Sequence, residues 1–184
     1  MRVITGIAKG KKLKALKSNR VRPTSDRIKE AIFSIIGDDI IDSIFIDCYA
    51  GTGSIGIEAI SRGARKCYFL ENHFESIKLI KENLNHTKLT RKGIILSKNV
   101  YNGLKEISSI GDKADIIFMD PPYAKDYLKP TLESIVNYDI LHKEGYIILE
   151  HSKNEILNDQ KGLEKYREKI YGNTVLSFYK KEEV

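Results

Sequence analysis

Long apolar runs are missing from this chain of 184 residues. None approaches the roughly 20 residues needed to span a bilayer, and the basic N-terminus lacks the following apolar stretch of a signal peptide. Cysteine is scarce: Cys48 and Cys67 fall in or beside apolar runs, without metal-ligand or C-x-x-C spacing. The four histidines (His73, His86, His142, His151) are scattered and form no ligand pair at helical spacing. Together these absences predict a reduced, cytoplasmic protein with no membrane partner and no metal. Repeats, linkers and low-complexity tracts are lacking too. One domain is the expectation, and 41% hydrophobic content suits a proper core.

Positive charge is present, and it is concentrated. Residues 1–30 carry ten Lys or Arg against Asp26 and Glu30, a balance of +8, while the rest of the chain balances at −2. Such a cluster suits a polyanion such as nucleic acid, or else it keeps a surface edge soluble. The candidate contacts are Arg2, Lys9, Lys11, Lys12, Lys14, Arg20, Arg22 and Arg27.

Patterning divides the chain into a basic extension, residues 1–22, and a larger domain, 23–184. RVITGIAKGKKLKAL (2–16) reads as two short strands around a Lys9–Gly10 turn. Pro23 forbids a helix through Arg22, so a helix begins after it and runs to Gly37. From there apolar strands near 43–48, 66–71, 93–98, 114–120 and 146–151 alternate with helical patterns near 54–62, 74–86, 101–108 and 127–138. Strands apolar on both faces and separated by helices imply an α/β fold with a mostly parallel sheet. The end differs: YREKI (166–170), a Gly172–Asn173 turn and TVLSFY (174–179) read as an antiparallel hairpin.

Two stretches carry chemistry. The first strand ends DCYAGTGSIGIEA (47–59), with Gly51-x-Gly53-x-x-Gly56 opening a helix. Glu71, 20 residues past Gly51, is placed to accept two hydrogen bonds from a ribose diol. NAD and S-adenosylmethionine (AdoMet) both carry such a ribose. Asp47 separates them, since a carboxylate repels a pyrophosphate and attracts the ammonium of AdoMet; it can also simply cap the following turn. In FMDPPYAKDY (118–127) a strand stops at Asp120, and Pro121 and Pro122 cannot continue a ladder. A stiff turn results, and it aims Tyr123 back across the strand end.

Asp47 with the glycine loop, Glu71 and Asp120-Pro121-Pro122-Tyr123 together resemble the class I AdoMet-dependent amino-methyltransferases. MRVITGIAKGKKL and RPTSDRIKEAIF are more specifically similar to the RsmD family, over essentially the whole chain. That resemblance implies the Rossmann-like, seven-stranded methyltransferase sheet with an antiparallel last strand. It also implies a bacterial enzyme acting on N2 of a guanine, position 966, in 16S RNA of the small ribosomal subunit, with a monomer expected.

Methylation of an exocyclic amine requires its delocalised lone pair to leave the base plane. The Asp120 carboxylate and the Pro121 carbonyl, fixed by Pro122, can grip the N–H groups in that geometry, and Tyr123 can stack on the base. By the resemblance, Asn99 and the Val100 amide meet the adenine, with Ala50 in the cofactor loop. Thr24 opens a helix whose amides suit the methionine carboxylate or are merely capped. Other readings remain open at this level: an N6-adenine methyltransferase, a nicotinamide dehydrogenase, or a non-catalytic RNA-binding assembly factor.

Overall fold

The computed structural model describes residues 1–15, 26–122, 127–155, 157 and 160–182. The helix after the basic segment, α1 (Asp26–Ile36), packs Ile28, Ile32, Phe33 and Ile36 inward, and Gly37 follows it into a short 3-10 turn. Five strands alternating with four helices come next: β1 (Ile44–Cys48), α2 (Ser54–Arg62), β2 (Lys66–Leu70), α3 (Phe74–Thr87), β3 (Gly93–Leu96), α4 (Val100–Ile110), β4 (Ala114–Met119), α5 (Leu128–Asn137) and β5 (Leu141–Ser152). A hairpin of β6 (Leu163–Tyr171) and β7 (Thr174–Lys181) closes the chain.

Among the described residues these strands form one seven-stranded sheet in the order β3-β2-β1-β4-β5-β7-β6. The first five are parallel, and β7 is antiparallel to both β5 and β6. The fold is therefore that of the class I methyltransferases. α1, α2 and α3 cover one face around Phe45, Phe69, Phe118 and Ile148, while α4 and α5 cover the other around Ile46, Leu70, Ile117 and Leu149. β5 begins earlier than its apolar run suggests, because Leu141 already pairs with Ala114 before the register shifts.

The basic N-terminus is where the structure departs most from expectation. Instead of two paired strands it makes a single bridge, Arg2 to Lys12, and a wide loop. Beside that bridge Val3 N donates to the Lys11 carbonyl, Gly10 N to the Val3 carbonyl and Leu13 N to the Met1 carbonyl, while other amides of the loop turn to the helices. Ile4 N and Thr5 N donate to the two carboxylate oxygens of Glu58 at 2.8 and 2.9 Å. Ala8 N donates to Ser61 Oγ and Ile7 N to the Ser61 carbonyl. On the return limb, Lys14 N donates to Asn83 Oδ1 at 2.8 Å, and Asn83 Nδ2 donates to the carbonyls of Lys14 and Thr52.

The arm thus straps across α2 and α3, and Val3, Ala8 and Leu13 belong to the same core as α1 and the sheet. The boundary expected at residue 22 lies outside the described residues. Gly6 is required for this contact. It sits at φ +85°, and an added Cβ would stand 1.8 Å from the Ser61 carbonyl oxygen.

Beneath the arm lies a buried ionic cluster. Glu58 and Lys29 have fully buried side chains, with Lys29 Nζ 3.7 Å from Glu58 Oε2, while Arg62 Nε donates to Glu58 Oε1 at 2.8 Å. Lys29 Nζ also donates to the Arg2 carbonyl at 2.6 Å and to Ser54 Oγ at 3.1 Å. Burial lowers the Lys29 pKa, with Glu58 opposing the shift. Removing one partner of such a cluster strands the others without water. Glu58→Ala is expected to cost about 3–5 kcal/mol, the range for breaking a buried pair, read as a lowered midpoint in urea unfolding. Glu58→Gln, which keeps one acceptor oxygen for Ile4 or Thr5 in place of two, is expected to cost less than the alanine.

Candidate functional site

The strand order reverses between β1 and β4, and the carboxyl ends of these two strands frame the crevice where open parallel sheets take ligands. Register places the acidic side chains there. Asp47 of β1 stands level with Phe69 of β2 and Phe118 of β4, so Glu71 and Asp120 each follow two residues beyond that level. Side chains two apart along a strand share a face, which puts Asp47, Glu71 and Asp120 on the side covered by α1 and α2. Phe118 pairs with Ile148, so Glu150 of β5 stands level with Asp120 on that face, buried to 6% exposure.

The carboxylates sense one another. The pKa of buried Asp47 is pushed up to about 8, first by loss of water and then by the charges of Asp120 and Glu71, against the pull of a hydrogen bond from Gly56 N. A crevice of this sign favours a cationic ligand and disfavours a phosphate.

Backbone geometry explains why Asp47 is buried. α2 starts after Gly53 with no side-chain cap of its own. Asp47 Oδ2 reaches across from β1 and accepts from Gly56 N at 2.9 Å, one of the otherwise unpaired amides of the first turn. Gly56 permits the approach, since a Cβ there would lie 2.4 Å from the Phe69 ring and 2.6 Å from Cys67 Sγ. Turn capping and a place in the crevice, alternatives in the sequence, are both features of the folded residue.

Glu71 ties the same loop from the other side. Its Oε2 accepts from Gly51 N at 2.8 Å, and its Oε1 accepts from Asn72 N and His73 N at 2.8 and 2.9 Å. The residues that sequence spacing paired are therefore in direct contact. Ala50, 8% exposed, continues the loop, its N donating to the Leu70 carbonyl and its carbonyl accepting from Gly53 N.

Asn99 is exposed and serves as N-cap of α4, its Oδ1 accepting from Asn102 N at 2.9 Å, with Val100 buried beside it. Asp120 is half-buried directly after β4, Pro121 is buried and Pro122 is exposed. Tyr123 and Thr24 lie outside the described residues, as do Arg20 and Arg22. Arg2, Lys9, Lys12, Lys14 and Arg27 are exposed. Lys11 Nζ donates to the carbonyls of His86 and Thr87 at the end of α3, and Lys14 Nζ pairs with Glu82 at 2.9 Å, so part of the basic cluster serves the strap itself. Among the described residues, no group of three or more His, Cys, Asp or Glu side chains is placed to hold a metal, and no helix is long and apolar enough to cross a membrane.

Sequence reasoning passed over Tyr49. It lies within the glycine loop at φ +63°, a left-handed conformation that costs a bulky residue about 1–3 kcal/mol. Its hydroxyl meets Thr131 of α5 at 2.7 Å, and its ring lies 5.8 Å from that of Tyr127. A tyrosine beside a glycine turn was the only signal available, and nothing in local pattern announces a positive φ there.

Comparison with known proteins finds relatives over nearly the whole chain. A family model described as "Conserved hypothetical protein 95" matches residues 1–180. YlbH of Bacillus subtilis, named as a candidate rRNA methyltransferase, is 37% identical over 182 residues, covering 98% of this chain and 99% of that protein. Ribosomal RNA small subunit methyltransferase D of Escherichia coli K12 is 30% identical over 184 residues, covering 99% and 90%. A solved structure of yhhF from Escherichia coli, described as a candidate methyltransferase, superposes with a TM-score of 0.85 at 26% identity over 99% of this chain and 98% of that one.

The raised pKa of Asp47 has a thermodynamic signature. Its folded pKa of about 8 exceeds the ordinary carboxylate value of 3.8, so the proton is held more tightly in the folded state. The resulting stability is fully present below pH 4 and is lost as pH rises through about 8. Asp47→Asn keeps an acceptor for Gly56 N and carries no charge. Urea unfolding without ligand is expected to show the variant gaining on the wild type steadily from pH 5 to pH 8; parallel pH profiles would mean that Asp47 titrates normally.

Proposed function

The chain belongs to the family of ribosomal RNA small subunit methyltransferase D, and on that premise we propose that it transfers a methyl group from AdoMet to the exocyclic N2 of a guanine in small-subunit ribosomal RNA. The observation that carries this reading is the position of Asp120-Pro121-Pro122. This turn follows β4 at the strand-order reversal, and Asp120 is close enough to Asp47 to raise its pKa. The acidic crevice fits AdoMet, with its sulfonium and ammonium, and is wrong for the pyrophosphate of a dinucleotide.

Asp47, Ala50, Gly51 and Gly53 would line the methionine side of the cofactor, with Thr24 toward its carboxylate. Glu71 would hold the ribose, and Asn99 with the Val100 amide the adenine edge. When bound, the sulfonium supplies a methyl group activated for transfer to a nucleophile.

The chain's own residues then prepare the amine. The Asp120 carboxylate and the Pro121 carbonyl accept its two N–H groups, which turns the lone pair out of the base plane and stabilises the positive charge that grows on nitrogen. Pro121 and Pro122 hold that carbonyl without further ordering cost, since their φ angles are fixed by the ring. Tyr123 supplies a stacking face for the base, which must leave its own stack to be reached. The RNA backbone would be met by Arg2, Lys9, Lys12 and Arg27, all exposed, together with Arg20 and Arg22.

The decisive experiment maps methylated nucleotides by mass spectrometry in ribosomal RNA from cells with and without the gene. One N2-methylguanine is expected to vanish from the small-subunit RNA and return with the wild-type protein but not with Asp120→Ala. Loss of an N6-methyladenine instead would assign the adenine reading. An unchanged methylation map would remove ribosomal RNA as the substrate.

The basic arm is tested separately, avoiding Lys11 and Lys14 because they brace α3. If Lys9 and Lys12 contact phosphates, replacing both with Ala reduces the magnitude of the log–log salt slope of RNA affinity by about 1.4, at roughly 0.7 per single-stranded contact. AdoMet affinity should stay unchanged. An identical slope in wild type and variant would make these lysines a solvated edge.

A further inference from the structure

The methyltransferase reading leaves Tyr49 without a role, although the structure holds it in a strained backbone conformation beside the crevice. The direction of its hydrogen bond follows from its neighbour. Thr131 has one hydroxyl proton, and that proton goes to the Tyr127 carbonyl at 2.7 Å. Thr131 Oγ1 must therefore accept from the Tyr49 hydroxyl, and the chain of donation runs from Tyr49 O–H through Thr131 to the backbone of Tyr127. Thr131 is fully buried, between a half-buried Tyr49 and a half-buried Tyr127. Burial also raises the Tyr49 pKa, which keeps its hydroxyl a donor throughout the physiological range.

Tyr127 is the first described residue after the proline turn, and Pro122 is the last before it. Tyr49 sits between Asp47 and Gly51 in the loop assigned to AdoMet. Its hydroxyl and ring (5.8 Å from that of Tyr127) thus join the cofactor loop to the start of α5, which follows the proline turn in the chain. Tyr49 makes this contact from a left-handed φ of +63°.

We propose that Tyr49 is a positioning residue that couples the glycine loop to the proline turn, so that AdoMet and the RNA substrate each tighten the binding of the other. The proposal rests on the methyltransferase function given above. Reciprocity is required: whatever factor RNA adds to AdoMet affinity, AdoMet adds to RNA affinity.

Tyr49→Phe keeps the ring and deletes the donor, while Thr131→Val deletes the acceptor without touching the loop. With purified protein, AdoMet affinity is measured by calorimetry in the absence and presence of small-subunit RNA, and methyl transfer is followed at saturating AdoMet. The wild type is expected to bind AdoMet at least about fivefold more tightly with RNA, the lower end of ordinary coupling, and each variant to bind AdoMet alone within about twofold of wild type while losing that gain. The KM for RNA should rise in both variants by the factor lost, and the double variant should be little worse than either single one. A variant with a lower Tm but wild-type coupling and KM for RNA would overturn the proposal, and so would a wild type without mutual tightening. Absence of methyl transfer by the wild type to any RNA would instead sink the functional reading on which it rests.

Discussion

The carboxylate of Glu58, taken wholly out of water, is the constraint on which the remaining architecture turns. Its two oxygens accept two backbone amides of the N-terminal arm and the Arg62 guanidinium, and Lys29 closes the cluster. The energetics of burial make the arrangement collective, because each member leaves an uncompensated charge or amide if another is lost. α2 is consequently buried on nearly every side, between the sheet and the arm. α2 also begins at the glycine loop, so anchoring the helix anchors the crevice. The arm is also linked to that loop through the Asn83 side chain of α3, which donates to the carbonyls of both Lys14 and Thr52.

Electrostatic strain is the second theme of the crevice. Like charges converge on the carboxyl ends of β1, β2 and β4, and they add to the burial that chiefly raises the Asp47 pKa. The backbone partly offsets the repulsion through the Gly56 amide at Asp47 and the Gly51, Asn72 and His73 amides at Glu71. A cationic ligand would complete the neutralisation. The same side chains hold the loop's backbone and set the charge of the crevice.

Much of this was legible in the chain. The five alternating units and the terminal hairpin follow from apolar runs and turn residues, and the observed strands and helices fall within a few residues of those expectations. The contact of Gly51 with Glu71 was foreshadowed by their spacing, since a strand, a glycine turn and a helix of ordinary length leave few other places for the second strand's end. The hairpin read into residues 2–16 is paired only in part, through one antiparallel bridge. Local alternation favours a ladder there, yet the amides of Ile4, Thr5 and Ala8 find side chains more than 50 residues away. A glutamate in the middle of an amphipathic helix carries no mark of being the acceptor.

The sequence by itself determined the order of elements, the parallel core, the acidic and glycine-rich strand ends and the asymmetric placement of charge. Each of these follows from short-range pattern, where neighbours along the chain are also neighbours in space. Only the tertiary structure decided that the basic arm is a strap bedded on α2 and α3, that Asp47 caps a helix it does not belong to, and that Tyr49 meets α5 from a left-handed φ. These outcomes depend on which distant partner satisfies a buried polar group, and that pairing exists only once the sheet has brought the strand ends together.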